Sequence, residues 1–412
     1  MPELQPAEPA ALGEGLSPAD ARLALAIVRT VHQRWLTLGP LLQSVGCPAV
    51  STLSPGLQAV LLGAAAQLLF FDRLPARAVV HEAVDLARRF ANPNAAGFVN
   101  AVLRALDEAV MSSPEATGEP WTPGRSRLPV DPRGGQALTS RPLWGDLLPD
   151  PSNPVRHLAA ACSLPRPLVR ALVEAHGPEA AAGVAAAAVR RPPVFVAEGT
   201  GPPERYDGAP VWLAAHLAEN PARRVQDPAS ALAVAATAGL TPRRVLDLCA
   251  GRGTKTRQLL ATHPDAEVSA WDPDAERARD LAAIPGVDVG EPAADARFDL
   301  VLLDVPCTNT GVLARRPEAR YRWSARRLAS LVALQREILT RGAGFVAPGG
   351  HLLYSTCSVD PAENQEQAAW LLGQPAGARF APVGERLRLP GGVGEAYADG
   401  SYHSLFCAGS RP

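Results

Sequence analysis

"LDLCAGRGTKTRQLL", residues 246–260, carries an apolar strand, a turn with glycines at 251 and 253, and the first turns of a helix, in that order. A strand that passes through a glycine turn directly into a helix begins a βαβ unit, and βαβ units build parallel sheets covered by helices. The stretch also holds Lys255, which is the sole lysine of the chain; every other basic side chain among the 40 is arginine. Arginine and lysine are not interchangeable, so a lysine kept here points to a place where a compact ammonium is needed.

Working outward, "RRVLDLC", "EVSAWD", "VDV", "FDLVLLD" and "GHLLYSTC" read as strands. "TKTRQLLATH", "PDAERARDLAAI" and "SARRLASLVALQREILTRGAG" read as the helices or helix-containing connections between them. The pattern predicts a Rossmann-like α/β domain with a mostly parallel sheet, whose ligands lie beyond the C-terminal strand ends. That rule selects Cys249, Asp272, Asp304 and Cys357. Glycine at 251 and 253 allows close backbone approach to a ligand and a tight turn. Asp272, at the end of the following strand, is placed to bind both hydroxyls of a ribose. A phosphate-binding loop needs glycine directly before the lysine, and Thr254 stands there. A dinucleotide fingerprint needs a third glycine at 256, where the residue is Thr256. The remaining common ligand of such a unit is S-adenosylmethionine; the plain alternative is a tight turn with a surface lysine.

Two cysteines stand out. "FDLVLLDVPCTNTGVL" puts Cys307 just after Asp304, and "GHLLYSTCSVDPAENQE" puts Cys357 at another strand end. Either alone reads as a buried structural cysteine. Both at the C-terminal edge of one sheet predict a shared pocket. A thiolate suits attack at C6 of a cytosine or uracil ring, which makes C5 nucleophilic enough to accept a methyl group. Asp304 is placed to hydrogen-bond the N3/N4 edge of such a base.

The rest of the chain sets the context. Residues 18–110 read as four helical segments, beginning with "ADARLALAIVRTVHQRWLTLGPLLQSV", and predict an all-helical bundle. Residues 1–17 read as a flexible tail and 111–153 as a Pro/Gly-rich linker. Residues 154–225 read as a small subdomain of two helices and an edge strand, "RRPPVFVAEG", and 226–412 as the α/β domain. The formal charge of −1 gives no global sign of a nucleic-acid binder, although balance can hide a basic face. Six cysteines without a CxxC pair need neither disulfides nor a metal. No apolar run reaches membrane-spanning length and the N-terminus has no secretion signal, so the expectation is a cytoplasmic, monomeric protein.

At the level of motifs the chain resembles the RNA (cytosine-5)-methyltransferase family, within it the bacterial enzymes acting on 16S ribosomal RNA. "LDLCAGRGTKT", "DVPCTNTGVLARRPEARYRW" and "YSTCSVDPAENQE" carry the resemblance in the family's order, and "VQDPASALA" matches its entry to the cofactor domain. "LLFFDRLPARAVVHEAVDLARR" and "AGFVNAVLRAL" resemble an antitermination-factor-B-like RNA-binding domain. The resemblance implies S-adenosylmethionine as cofactor, RNA as partner, and no metal. It implies Cys357 as nucleophile, Cys307 in release of the methylated base, and Asp304 between cofactor and base. Cys249, Ala250, Gly251, Arg252, Gly253, Thr254 and Lys255 would line the cofactor, with Asp272 on its ribose and Lys255 at the boundary with the reacting groups. Arg252 and Thr254 depart from the family's proline and glycine, and Glu291 of "VDVGEPA" stands near its usual aspartate and would take the adenosine side. Arginines of "LARRPEARYRWSARR" offer forks for phosphate, about half of them on a solvated helix face. The same chemistry on transfer RNA, or a non-catalytic RNA-binding or ribosome-assembly factor, are the other readings.

Overall fold

The computed structural model describes residues 15–110, 119–131 and 137–409. The chain divides into two compact units, one of residues 1–192 with 313–322, the other of residues 193–312 with 323–412.

The first unit is helical. Helix α1 (Pro18–Ser44) is capped by Ser17, whose hydroxyl accepts from the Asp20 amide at 3.2 Å. Helix α2 (Pro55–Phe70) buries Val60, Leu61, Leu62, Ala64, Ala65, Ala66 and Leu69, which lie all around its axis, as befits a central bundle helix. Helices α3 (Ala76–Phe90) and α4 (Ala96–Ala109) each bury one stripe against it. Part of the expected linker and most of the expected N-terminal tail lie outside the described residues. The remainder of the linker stretch is not structureless: strands β1 (Arg127–Val130) and β2 (Thr139–Pro142) form an antiparallel pair. Helices α5 (Pro154–Ala161) and α6 (Arg166–Ala187) follow in this unit, so the compact units part at Pro192 rather than at the expected boundary after Val225.

Arg320 departs from the reading of the arginines of "LARRPEARYRWSARR" as phosphate forks. It is 0% exposed in the helical unit. Its guanidinium donates to five backbone carbonyls, of Gln33, Ser163, Ala188 and Leu313 at 2.8–3.2 Å and of Cys162 at 3.4 Å. Those carbonyls come from residues far apart in sequence, so the side chain joins α1, the α5–α6 turn and the end of α6.

The second unit opens with a three-stranded antiparallel sheet of β3 (Phe195–Glu198), β4 (Glu204–Arg205) and β5 (Arg223–Val225). Strand β3 is its centre, so "PPVFVA" is not an edge; its Phe195 and Ala197 are buried. Helix α7 (Pro228–Ala235), capped by Asp227, leads into the main sheet. That sheet contains β6 (Arg244–Asp247), β7 (Glu267–Ala270), β8 (Val287–Val289), β9 (Phe298–Asp304), β10 (Val346–Thr356), β11 (Phe380–Arg388) and β12 (Ser401–Ala408). The order is β11-β12-β10-β9-β6-β7-β8, parallel from β10 to β8, with β12 antiparallel to both β10 and β11. Helices α8 (Thr254–Thr262), α9 (Ala275–Ala282), α10 (Ala325–Phe345) and α11 (Gln365–Leu372) accompany it. Successive strands build outward from β6 in one direction and then restart at β9 in the other. Between β6 and β9 lies the switch point where ligands of such sheets bind. Leu246, Val301, Leu303, Leu352 and Tyr354 form one core face, Val245, Leu300, Leu302 and Leu353 the other, so alternate residues of the same strands fill both.

Candidate active site

The parallel register sets the site. Ser355 of β10 pairs with Asp304 of β9, and its hydroxyl donates to Asp304 Oδ1 at 2.7 Å. The turns that leave these two adjacent strands carry Cys307 and Cys357, whose Sγ atoms are 3.3 Å apart. Cys357 is half-buried and lies 3.2 Å from Asn309 Oδ1, while Cys307 is buried. The contact with Cys357, burial, and the charges of Cys357 and Glu363 all push the Cys307 thiol well above its usual range.

Lys255 reaches the same place from the first turn of α8. Its Nζ donates to Asp304 Oδ2 at 2.7 Å and to Ser230 Oγ at 3.2 Å. Burial works against its proton, but the Asp304 carboxylate, by charge and hydrogen bond, outweighs it and holds the ammonium above its ordinary range. A Cys357 thiolate and Asp247 add to that effect. Lys255 and Cys357 line one cleft with Asp227, Ser230, Asp399 and Tyr402. The sequence reading missed those four residues. Asp227 and Ser230 lay within the "VQDPASALA" stretch, and Asp227 also had the signal of its place before Pro228 at a helix start.

The glycine loop lies between β6 and α8. Gly251 and Gly253 have φ of +55° and +84°, the left-handed region that glycine tolerates. A Cβ on Gly253 would meet Ile284 Cδ1 at 2.3 Å, whereas one on Gly251 would meet nothing within 4 Å. Gly253 is the N-cap of α8 and has no side chain to close the helix start. Asp272, just past β7, accepts from the Gly251 amide at 3.0 Å and from the Asp274 amide at 3.0 Å. Ala250 donates its amide to Trp271 O at 3.1 Å, and Thr254 is the first residue of α8. Burial pushes the Cys249 thiol far up, helped by the charges of Asp247, Asp304 and Asp272, so it is an inert wall.

Two expected cofactor contacts have other partners. Arg252 turns to α9, where it pairs with Glu276 at 2.7 Å and with Asp280. Its backbone belongs to the loop, but its guanidinium is committed to the helix. Glu291 pairs with Arg341 at 2.7 Å, and that guanidinium lies 4.5 Å over the Trp271 ring. Both departures follow from carboxylate–guanidinium attraction at exposed positions that a motif comparison cannot register.

Asp247 was not singled out by its sequence. It is fully buried at the end of β6, and Thr256 donates to its Oδ2 at 2.7 Å while Oδ1 has no partner. Burial raises its pKa to about 7, Thr256 opposing and the Asp304 charge assisting. Among the described residues no group of three or more His, Cys, Asp or Glu side chains is arranged to hold a metal, and no helix is long and apolar enough to cross a membrane.

Residues 238–385 match the family model described as 16S rRNA methyltransferase RsmB/F, and residues 3–108 match the NusB family. Ribosomal RNA small subunit methyltransferase B of Xanthomonas campestris pv. campestris is 31% identical over 388 residues, 86% of this chain and 81% of that protein. The protein of the same name from Erwinia tasmaniensis is 39% identical over 180 residues, 40% of this chain; the chain thus spans less than half of that relative's length, 42%. The crystal structure of PH0851 has the same fold, with a TM-score of 0.62 at 20% identity over 95% of this chain and 91% of that one. The chain therefore belongs to the RsmB/F family of S-adenosylmethionine-dependent rRNA methyltransferases.

Proposed function

We propose that the protein methylates cytosine C5 in RNA, with small-subunit ribosomal RNA as substrate, through a covalent bond between Cys357 and base C6. The observation that carries this reading is the 3.3 Å contact of two thiols beside the Lys255–Asp304 pair. The substrate is supported by the names of the relatives, and the cytoplasm is the compartment in which a bacterial ribosomal RNA would be met.

The chain's residues fit the cofactor. The open N-cap at Gly253 leaves first-turn amides for a carboxylate, and the left-handed Gly251 leaves room above the loop. Asp272 stands at the next strand end to hold ribose hydroxyls, with Ala250, Arg252 and Thr254 contributing backbone. S-adenosylmethionine supplies an electrophilic methyl group there.

Lys255 and Ser355 each engage one oxygen of Asp304, which leaves further lone pairs on both for the N3/N4 edge of a cytosine. Cys357 adds to C6 as thiolate, and the electron pair of the C5–C6 double bond makes C5 the nucleophile. Cys307, in its thiolate form, then takes the C5 proton, the C5–C6 double bond returns, and the electron pair of the broken bond leaves on Cys357 as thiolate. The largest influence keeping Cys307 protonated is its contact with Cys357, and that contact is lost once Cys357 is bonded to the base. The target base must leave its stack to enter the cleft, and the helical N-terminal unit is proposed to hold the surrounding RNA.

Tritiated-methyl transfer to unmodified small-subunit RNA by wild type, Cys357→Ala and Cys307→Ala tests this. The first variant should be inactive, and the second should accumulate a denaturant-resistant RNA–protein adduct. Full activity in Cys357→Ala rules out the nucleophile assignment.

A further inference from the structure

Beneath the two thiols lies a buried polar cluster to which the reaction above assigns no role. Its centre is Glu363, 0% exposed, six residues after Cys357. Glu363 Oε1 accepts from the Thr308 amide at 2.9 Å and from Gln335 Nε2 at 3.0 Å, and Oε2 accepts from the Thr308 hydroxyl. Gln335, also fully buried, donates to Pro306 O at 3.0 Å as well. The peptide groups on both sides of Cys307 are thus tied to one carboxylate and one amide.

The same cluster reaches the turn that holds Cys357. The Thr308 hydroxyl lies 3.3 Å from Ser358 Oγ, and Thr310 Oγ1 lies 2.9 Å from it. Thr310 Oγ1 also accepts from the Val359 amide at 3.0 Å. The backbone of Glu363 accepts from the Tyr354 hydroxyl at 2.6 Å, fixing its turn to β10. Burying a carboxylate is costly, and burial pushes Glu363 up in pKa against the donors of Ser358, Thr308 and Gln335. A carboxyl group held at that cost, with donors from both cysteine turns, sets a distance.

We propose that Glu363 is a positioning residue that fixes the separation of the Cys307 and Cys357 thiols by clamping both turns. It touches neither thiol; it acts through Thr308, Gln335 and Ser358. The proposal rests on the reading of the two cysteines as the reacting pair, and one arm of its test is independent of that reading.

Glu363→Ala removes the acceptor for three donors. Glu363→Gln keeps an acceptor for the Thr308 amide and Gln335, while the Thr308 hydroxyl can reverse to accept from the new amide. The alanine variant should lose roughly 10- to 100-fold in kcat with KM within about twofold, the pattern of misplacement at the reacting centre. The glutamine variant should recover to within about threefold of wild type. In the independent arm, the full chain is treated with diamide, an azo oxidant that takes the two thiol hydrogens as the disulfide forms. The Cys307–Cys357 disulfide is followed by peptide mass. Wild type should cross-link fastest, Glu363→Ala at least about tenfold slower, and Glu363→Gln near wild type. If Glu363→Ala does not fold, Thr308→Val, which removes the hydroxyl ties alone, should still slow cross-linking severalfold. A folded Glu363→Ala, or in its absence Thr308→Val, that cross-links at the wild-type rate overturns the proposal. That holds even if no RNA is ever methylated, so the two readings fail separately.

Discussion

Replacing Lys255 by methionine removes the positive half of its pair with Asp304 while keeping an unbranched side chain of similar length. The two charged groups are 2.7 Å apart, and the side chains are 14% and 32% exposed. Removing one partner of a fully buried pair costs about 3–5 kcal/mol, chiefly because the other charge is stranded. Asp304 keeps its Ser355 hydrogen bond and is about a third open to water, so screening should reduce that figure to roughly 1–3 kcal/mol. The measurement is a double-mutant cycle of Lys255→Met, Asp304→Asn and the double variant, by urea unfolding near neutral pH. The neutral Asp304→Asn partner should tolerate methionine, so the double variant should be more stable than the sum of the single effects by that coupling energy. A coupling below about 0.5 kcal/mol, the value of an exposed pair, would refute the argument and return Lys255 to the surface. In methyl transfer, Lys255→Arg should retain the charge yet lose at least about tenfold, because a planar fork cannot occupy the place of a compact ammonium.

Three further outcomes follow from the geometry. Asp247 has a folded pKa of about 7, above its unfolded value, so its favourable contribution is complete at low pH and is lost as pH rises through about 7. Asp247→Asn should therefore gain in thermal stability on wild type between pH 4 and pH 8; a gap independent of pH counts against a protonated Asp247. Gly253→Ala must force a side chain into φ +84° against Ile284 and should cost about 1–3 kcal/mol in urea unfolding. Arg320→Met takes the guanidinium from five carbonyls inside the helical unit, of which Ala188 O keeps Gln33 Nε2, and should cost roughly 3 kcal/mol or more, while a loss below about 1 kcal/mol would mean those bonds are individually idle.

The strand–glycine–helix order at residues 246–260 and the strand-end cysteines were legible because they depend on local pattern and on one topological rule. Periodicity located the parallel strands, and the rule about strand ends then selected Cys249, Asp272, Asp304 and Cys357; Cys307 followed from the turn after Asp304 and Lys255 from its place in the glycine loop. The two antiparallel strands after residue 379 were not read as strands: "FAPVGERLR" is mostly exposed and contains proline and glycine, so it has no clean alternation. Arg252 and Glu291 were assigned by position in a motif, and position says nothing of carboxylates or guanidiniums arriving from another element. Glu363 and Arg320 escaped for a related reason. A charged residue reads as solvated until its buried partners are known, and four of the five of Arg320 lie more than a hundred residues away in α1 and around α5 and α6.

The ten residues 313–322 that complete the helical unit have a consequence for synthesis. A ribosome makes the bundle first, yet the segment that brings Arg320 to the carbonyls of Gln33, Ser163 and Ala188 emerges only after β9 has been translated. At synthesis speeds of roughly 5–20 residues per second, that is a delay of about 6–26 s after residue 192. During it those carbonyls lack the guanidinium of Arg320 while β3 to β9 leave the ribosome. The N-terminal half is therefore not a module that can be cut off after residue 192 and kept whole. Its last stitch is encoded just downstream of Cys307.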